Sequence, residues 1–493
     1  MAAAPAPAVP SGTWPDANGD LANARDASGS SISSANVADL VKAWSFRIPG
    51  KAAAGLDHQG ALTGAPIVVG GTVYIQDLDS NVYAVSLATG DLEWDYRLNL
   101  PDLPGPGPNG VAVLGGRVFG ASPKTVFALS AASGHPLWVD RHLLKPGQGT
   151  FGIQPQAAGG RLYLASQYGS GPGGGVLIAL KASTGKVLWT FNTVHGPAPG
   201  VKALGAGAGG AWEPPLVGTD GSVTFGTGNP YQSGGAALEH PAKILYTDSA
   251  VNLAAATGKL RWYYQGVPDD FRDWDMQASP IAAVVNGVSA VIGGGKMGYV
   301  YAMNAATGAL LWKTPVGEHN GHDDDSLRAL QHRISLKFPY TFAPGGAGGI
   351  LSNMAVAGDS VYVVTDDLPY RLRSRGAVDG IPAARTLRGE IEALNLSTGA
   401  VEWDTKVADL PLGAATVSQD LVFTTLYKGT LLALNRATGA IAYQGRLPTS
   451  TNAPLAIAGN TVLVPAGAPQ TSKSKPRGAS QLVAYTLSSP AAG

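Results

Sequence analysis

The sequence predicts an all-β protein made of repeated four-stranded antiparallel sheets, and three observations support this fold class. First, a short pattern of two apolar strands around a Ser/Thr-Gly turn recurs along the chain. Second, glycine contributes 67 of 493 residues, about twice its usual share, as expected of many tight turns. Third, charged residues make up only 14% of the chain, against roughly 25% in typical soluble proteins. A chain of this length also exceeds one ordinary compact core, which favours an architecture that grows by repetition.

The repeated unit is a hairpin. Each copy has an alternating apolar strand, a turn with a glycine, and a second strand that ends at an aromatic residue. The glycine suits a turn position that needs a positive φ, and the aromatic ring suits packing between neighbouring sheets. The seven copies carry their turn glycines at Gly90, Gly134, Gly185, Gly258, Gly308, Gly399 and Gly439, and end at Trp94, Trp138, Trp189, Trp262, Trp312, Trp403 and Tyr443.

Two further strands precede the hairpin, so each unit is predicted to be a four-stranded meander. In the first unit, APIVVGG and TVYIQD precede NVYAVSLAT and DLEWDYR. Seven such units predict the blades of a β-propeller. An eighth blade can be assembled from APLAIAG, TVLVPAG and SQLVAYTL near the C terminus and VKAWSFRI near the N terminus. We therefore predict one eight-bladed domain over residues 31–493, closed by N- and C-terminal strands, which removes free sheet edges.

Net charge, cysteine content and the N-terminal residues exclude several classes of function. The net charge is zero, so nothing points to nucleic acid or to an anionic membrane surface. Cysteine is absent, which excludes disulfides, Cys-ligated zinc, iron–sulfur clusters and c-type haem attachment. Residues 1–30 are predicted to be a flexible segment. Their opening MAAAPAPAVP lacks the regions of a secretion signal, and we interpret it as the start of a mature periplasmic or secreted chain.

Two polar stretches between the repeats are the main candidate sites. The stretch 209–231 holds Trp212 outside the repeat position, and Asn229 just before a proline at the end of a strand. The stretch 266–280 packs four aspartates and one arginine into seven residues. Carboxylates this close repel one another unless a cation or a proton is shared. A core tryptophan with a turn asparagine, and a solvated acidic loop, remain the alternative interpretations.

Three further features are weaker candidates for a functional site. Lys296 lies in the glycine-rich turn GGGKMG, where backbone could approach a ligand closely, although an exposed lysine is the simpler interpretation. The stretch 317–327, GEHNGHDDDSL, has metal-binding side chains without zinc-type spacing, and a surface loop is favoured. The glycine-rich stretches 105–110 and 167–175 lack the strand-to-helix setting of dinucleotide and phosphate loops.

An ordered set of motifs resembles a known family. FGTGNP, DSAVNLAAATGKLRWYYQ, PDDFRDWD and KMGYVYAMNAATG resemble, in order and spacing, motifs of the pyrroloquinoline quinone (PQQ)-dependent alcohol dehydrogenases, which are eight-bladed quinoproteins. NVADLVKAWSF is similar to the N-terminal strand of that family, and the xTGxxxW repeat to its tryptophan-docking motif. The resemblance implies PQQ as cofactor, with Ca²⁺ or a lanthanide beside it.

The resemblance also implies roles for individual residues by position. Trp212 matches the tryptophan on which the flat quinone stacks, and Lys296 matches a basic residue that reaches the quinone carbonyl oxygens. Asn229 matches a metal ligand. Asp273 matches the aspartate that acts as general base and contacts the metal. Asp275 matches the additional metal ligand of the lanthanide-using branch.

The sequence departs from the family pattern in three places. The adjacent cysteines that usually form a ring over the quinone are absent, and Asn109 replaces an arginine expected near the cofactor. The metal-binding glutamate aligns near Ser170, so no carboxylate is available there, and Glu213 is the candidate substitute. Asn109 and Ser166 are still predicted to contact the cofactor.

The predicted function is oxidation of an alcohol with PQQ, an aspartate base and a metal Lewis acid. A polymeric alcohol is compatible with a site that lacks the cysteine ring. Electrons would pass to a separate acceptor, because no haem-attachment sequence is present. The main alternative is a non-catalytic propeller scaffold of the same superfamily, and a weaker one is a hydrolase or lyase that uses the acidic loop and a bare metal. The set of Trp212, Asn229, Asp273 and Lys296 favours the dehydrogenase, since a scaffold has no reason to keep it.

Overall fold

Eight four-stranded antiparallel sheets form the blades of a propeller, as the sequence predicted. The computed structural model describes residues 12–49, 62–98, 109–167, 175–194, 209–230, 244–268, 270–331, 333, 335–374, 377–378, 386–467 and 479–488. From the inner to the outer strand, blades 1 to 4 comprise Ile67–Val69, Thr72–Gln76, Val82–Ser86 and Leu92–Tyr96; Val111–Leu114, Arg117–Ala121, Val126–Ser130 and Pro136–Asp140; Gln156–Ala158, Arg161–Gln167, Val176–Lys181 and Val187–Asn192; and Leu216–Val217, Ser222–Gly226, Ser249–Ala254 and Leu260–Gln265.

Blade 8 confirms the predicted closure of the ring. Its outer strand comes from the N terminus and pairs antiparallel with the last strand of the chain. Blades 5 to 8 comprise Ile281–Val285, Val288–Gly294, Tyr299–Asn304 and Leu310–Pro315; Ala355–Ala357, Ser360–Asp366, Gly389–Asn395 and Val401–Val407; Thr416–Ser418, Leu421–Leu426, Thr430–Asn435 and Ile441–Arg446; and Ala456–Ala458, Thr461–Ala466, Gln481–Leu487 and Leu40–Arg47.

A few elements stand outside the blades. Thr150–Phe151 extends blade 3, and Tyr340–Phe342, Tyr370–Ser374 and Ala377–Val378 form a separate three-stranded sheet. The helical elements are the α-helix Asp325–Leu330 and the 3₁₀ turn Val37–Asp39. No helix within the described ranges is long and apolar enough to cross a membrane.

The repeat tryptophans join seven of the eight blades to the blade that follows. Trp189 of blade 3 donates its indole N–H to the carbonyl of Ala255 in blade 4 at 2.9 Å, and its ring lies directly against Gly258. Gly258 has φ +68°, so its turn needs a residue that tolerates the left-handed region and leaves room for the indole. The same pairing of tryptophan with turn glycine joins Trp44 to Gly90, Trp94 to Gly134, Trp138 to Gly185, Trp262 to Gly308, Trp312 to Gly399 and Trp403 to Gly439.

The N-terminal segment packs against the inner strands of the ring. Trp14 is fully buried and exchanges backbone hydrogen bonds with Val68 of blade 1. Further along, Ala22 accepts a backbone hydrogen bond from Ala282 of blade 5, and Ala24 accepts one from Val356 of blade 6. Residues 12–30 therefore differ from the flexible segment that their composition suggested, because the inner edges of the blades supply partners for their backbone. Residues 1–11 lie outside the described residues.

Candidate active site

Connections from two blades bring the main candidate residues to one face of the ring. Asn229 follows the second strand of blade 4, Asp273 and Asp275 follow its outer strand, and Lys296 follows the second strand of blade 5. In an antiparallel meander the second and fourth strands run in the same direction, so all these strand ends lie on the same face. Trp212, which precedes the inner strand of blade 4, comes from a connection on that face as well.

The four polar side chains are in direct contact. The Asn229 amide nitrogen donates a short hydrogen bond to Asp273 Oδ1, and the Asn229 backbone N–H donates to Asp275 Oδ1 at 2.7 Å. Lys296 Nζ lies 3.0 Å from Asp273 Oδ2 and 2.5 Å from Asp275 Oδ2. Asp275 is fully buried, whereas the Asp273 side chain keeps 41% of its surface accessible. Asn229 and Asp273, which are 44 residues apart in the sequence, are therefore in direct contact.

The Trp212 ring borders this cluster. Lys296 Nζ lies 5.9 Å from the ring centroid, within cation–π range. A Cβ at Gly228 would come within 2.9 Å of the Trp212 ring and 2.8 Å of Asp275 Oδ1, so glycine is required for this close approach. Gly228 thus lets the backbone next to Asn229 pass between an indole ring and a buried carboxylate.

The acidic loop is held in place by the neighbouring His/Asp stretch. Asp270 accepts the backbone N–H groups of Arg272 and Trp274 at 2.9 and 2.6 Å. The Arg272 guanidinium stacks on Trp274, 3.3 Å from the ring centroid, and donates to Ser326 Oγ at 3.0 Å. His319 and His322 pair with Asp323 and Asp325, respectively. The stretch 317–327 therefore supports the acidic loop. It was predicted to be a surface loop, but Asp325 and Ser326 at its end are buried.

Asp248 is a fourth carboxylate at the site that the sequence analysis did not single out. It is fully buried at the end of the connection that holds Asn229, and its backbone N–H donates to the Gly228 carbonyl at 3.0 Å. Neither of its carboxylate oxygens meets hydrogen-bond geometry with a partner in the described part of the chain. Burial, together with the charges of Asp270, Asp275 and Asp273, raises the pKa of Asp248 well above its ordinary value. Its only sequence signal was its place at the start of the DSAVNL motif.

The backbone and the surroundings of Asp273 set its reactivity. Asp273 has φ +69°, an uncommon conformation for a residue other than glycine, and this conformation accompanies its contacts to Asn229 and Lys296. Burial of the acidic loop and the adjacent Asp275 raise the pKa of Asp273 to about 7, although Lys296 opposes the rise. A carboxyl group that titrates near neutrality can both accept and release a proton.

Two candidate cofactor-binding residues make contacts of their own. Asn109 is buried, and its backbone N–H donates to Thr63 Oγ1 at 3.0 Å. Ser166 is buried and accepts the Val176 N–H on its hydroxyl, while its carbonyl accepts the N–H of Ala211, the neighbour of Trp212. The structure thus brings Ser166 close to the Trp212 segment and shows no such contact for Asn109 among the described residues. Cofactor binding by both stays a prediction.

Glu213 is hydrogen-bonded to a neighbouring asparagine in a buried polar network. Its Oε2 accepts a hydrogen bond from Asn353 Nδ2 at 2.8 Å, and Asn353 in turn binds Asn18 of the N-terminal segment. Burial raises the pKa of Glu213 to about 7, while Asn353 and Arg25 lower it. Glu213 was the candidate to replace the missing metal-binding glutamate, but its carboxylate is hydrogen-bonded within this polar network. Ser170, where that glutamate aligns, lies outside the described residues.

The chemistry of this donor set fits a hard metal ion. Asp273 and Asp275 both contact Lys296, and Asp248 lies near enough for their charges to raise its pKa, so three carboxyl groups share a single lysine. A buried carboxylate without a hydrogen-bond partner is costly, and the oxygens of Asp248 have no such partner within the described residues. A cation of the Ca²⁺ or lanthanide class would supply the missing charge, since such ions prefer several oxygen ligands. Trp212 is only partly buried, and its indole ring is the kind of surface on which a planar ring stacks.

Comparison with known families identifies the same architecture. The family profile of the glucose/ethanol/alcohol dehydrogenase β-propeller domain, named for PQQ, matches residues 14–114 and 174–323, just over half of the chain. The profile of the outer membrane protein assembly factor BamB matches residues 102–211 and 387–489. The solved structures with similar folds include the quinohemoprotein alcohol dehydrogenase of Comamonas testosteroni, with a TM-score of 0.78, 20% identity and coverage of 97% of this chain and 81% of that one.

Curated relatives are similar in sequence but longer. A polyvinylalcohol dehydrogenase of a Pseudomonas species is 26% identical over 76% of this chain and 60% of its own length. The quinohemoprotein alcohol dehydrogenase of Comamonas testosteroni is 27% identical over 53% of this chain and 40% of its own length. The chain therefore spans less than two thirds of these relatives. With the family profile, the eight blades and the tryptophan docking in agreement, this chain belongs to the PQQ-dependent alcohol dehydrogenase family.

Proposed function

We propose that this protein oxidises an alcohol with PQQ and a hard metal ion, and that Asp273 is the general base. The observation that carries the proposal is the direct contact of Asn229, Asp273, Asp275 and Lys296 beside the Trp212 ring. These residues come from separate connections of two blades, and an unliganded scaffold gains nothing by placing two carboxylates so close together. Membership of the family supports the same conclusion.

The position of each residue suggests a separate role in the proposed reaction. Asp273, with its accessible carboxylate, would accept the hydroxyl proton of the alcohol. Lys296 favours the ionised form of Asp273 through their 3.0 Å contact, which keeps part of the population ready to act as a base. Trp212 would hold a planar ring by stacking. A quinone held there would supply the acceptor for hydride from the alcohol carbon, and a metal held by the neighbouring oxygen ligands would supply Lewis-acid assistance.

Asn229, Asp273 and Asp275 would hold the metal, with Asp248 as a further buried carboxylate nearby. In the structure the Asn229 amide nitrogen faces Asp273. Ligation of one cation by both side chains would require the amide to present its oxygen instead, so the metal would replace this hydrogen bond. Asp275 keeps its backbone hydrogen bond from Asn229 in either arrangement, since that bond uses main-chain N–H.

A polymeric alcohol is part of the proposal. The sequence has no cysteine to form the ring that covers the quinone in the family pattern, which would leave the site open to a bulky chain. One relative, 26% identical, is named a polyvinylalcohol dehydrogenase. We further propose that a separate acceptor takes the electrons, since a relative from Gluconacetobacter polyoxogenes is named the dehydrogenase subunit of an alcohol dehydrogenase (quinone), and that the protein acts in the periplasm or outside the cell.

Reconstitution with cofactor and metal tests the proposal. The purified chain is mixed with PQQ and either Ca²⁺ or a lanthanide, and the quinone absorbance and dye reduction are followed with small alcohols and with polyvinyl alcohol. We expect PQQ binding and metal-dependent dye reduction. Asp273→Asn should retain PQQ binding and reduce turnover by about 10²–10⁴-fold, the usual contribution of a general base.

A matched control separates loss of the base from general damage. Asp220 is a partly exposed aspartate paired with Arg261 at 2.7 Å, away from the site, so Asp220→Asn should leave turnover unchanged. Unchanged turnover in Asp273→Asn would remove this residue as the base. Absence of PQQ binding with every metal would overturn the dehydrogenase proposal and favour the scaffold alternative.

A further inference from the structure

A second group of carboxylates lies on blade 6 and includes none of the residues around Asn229. Glu390 and Glu392 alternate along the third strand of the blade and therefore point to the same face. Asp404 of the outer strand is directly opposite Glu392, and Lys406 is directly opposite Glu390. Ligand oxygens of the three acidic residues all lie within 4.8 Å of one another.

Lys406 is the cation that contacts these carboxylates among the described residues. Lys406 Nζ lies 2.8 Å from Glu390 Oε1 and 3.8 Å from Asp404 Oδ2, but the lysine side chain is 74% exposed and can move into solvent. Glu390 and Glu392 are both buried. Burial, with Glu390 and Asp404 nearby, raises the pKa of Glu392 to about 9. With a raised pKa, Glu392 holds a proton at neutral pH, so three carboxyl groups crowd around one exposed lysine and share a proton. A cation bound here would displace that proton.

A buried hydroxyl on the same face gives an independent indication of a ligand. Thr365 is directly opposite Glu390 in the second strand of the blade, so its side chain points to the face that carries the carboxylates. Thr365 is 1% exposed, and its Oγ1 has no hydrogen-bond partner among the described residues. A buried hydroxyl without a partner is costly, and a cation would use its oxygen as a neutral ligand.

Gly317 links the hydroxyl to the carboxylates. Its backbone N–H donates to Glu392 Oε2 at 3.2 Å, and a Cβ at this position would lie 3.0 Å from Thr365 Oγ1. The same Cβ would lie 3.2 Å from Asp367 Oδ1. The connection between blades 5 and 6 therefore covers the group from above and brings a further carboxylate to its edge.

We propose that Glu390, Glu392, Asp404 and Thr365 bind a divalent cation of the Ca²⁺ class, separate from the metal of the active site. The donors are all oxygen atoms and are mostly charged, which suits a hard ion that accepts several oxygen ligands. Binding would displace Lys406 into solvent and join the third and outer strands of blade 6 to the covering connection. The proposal does not depend on the alcohol dehydrogenase function, because it uses none of the active-site residues.

Equilibrium dialysis of the full chain with radioactive Ca²⁺ tests this site. We expect Glu392→Gln to bind one Ca²⁺ fewer than the wild type, or to bind it at least about ten-fold more weakly, since charge count sets Ca²⁺ affinity. Glu402→Gln is the matched control. Glu402 lies on the same outer strand, but its carboxylate accepts hydrogen bonds from Ser360 and Asn395 instead.

An active-site variant distinguishes the two ions. Asp275→Asn should affect only the active-site ion and retain Ca²⁺ binding at blade 6. If Glu392→Gln fails to fold, Thr365→Val provides a second test, because it keeps the buried volume and removes only the hydroxyl; it should weaken the same Ca²⁺ equivalent. Wild-type binding that neither Glu392→Gln nor Thr365→Val changes would overturn the proposal, as would a wild type that binds no Ca²⁺ at millimolar concentration.

Discussion

Replacement of Gly258 by alanine should disrupt the contact that joins blade 3 to blade 4. Gly258 has φ +68°, where alanine costs about 1–2 kcal/mol. The new methyl group would also lie 2.6 Å from Trp189 Cδ2, an impossible contact unless the indole moves. Overpacking of this kind costs about 1–3 kcal/mol. The two effects together predict a loss of ~2–5 kcal/mol in the free energy of unfolding.

Gly287 offers a control with the same backbone strain and no contact. Its φ is +78°, and a Cβ there would meet nothing within 4 Å. Gly287→Ala should therefore lose only about 1–2 kcal/mol. Urea unfolding of both variants, followed by far-UV circular dichroism, measures the difference, which should be about 1–3 kcal/mol in favour of Gly287→Ala. Equal losses in the two variants would refute the role of the tryptophan contact in stability.

Two further predictions concern the N-terminal segment. Burial and Asp20 raise the pKa of Asp16 to about 7 in the folded protein, so the native state binds a proton more tightly than the unfolded chain, and stability falls as the pH rises from about 4 to 7. Asp16→Asn keeps an acceptor for Gln156 and should raise the melting temperature at pH 8 but not at pH 4; an equal shift at both pH values would contradict this reasoning. Arg25 is fully buried and donates to the carbonyls of Ala415 and Leu455, so Arg25→Met should cost ~3 kcal/mol or more, seen as a lower urea midpoint.

The repeats made most of the fold predictable. A turn glycine and an aromatic residue at fixed spacing indicate one hairpin each, and the structure forms a blade at every copy. The closing blade was also predictable, because Trp44 supplies the aromatic residue that ends the outer strand in the other blades. In the structure Trp44 lies opposite Ala484, just as Trp94 lies opposite Ala84 in blade 1. The repeat therefore places a small residue opposite each of these large rings, and blade 8, which is built from both ends of the chain, follows the same rule.

Charged and polar positions in irregular or partly covered segments were less predictable. Asp248 is a single aspartate before a strand, and only its burial beside Asp275 makes it unusual. Glu390 and Glu392 alternate with apolar residues, a pattern typical of a solvated strand face, but a connection from another blade covers them. A sequence pattern reports which face a side chain occupies. It does not report whether a distant segment covers that face.

The ring geometry explains why both groups of carboxylates lie on one face. In blades 1 to 7 the hairpin turns of the repeat lie on one face, and the connections that follow the second and fourth strands lie on the other. The repeat fixes the first set of turns, because Gly258 and its equivalents must contact the tryptophan of the preceding blade. The second set carries no such constraint and can vary in length and charge. Asn229 and Glu390 both lie at strand ends on this variable face, where polar groups can change without loss of blade docking.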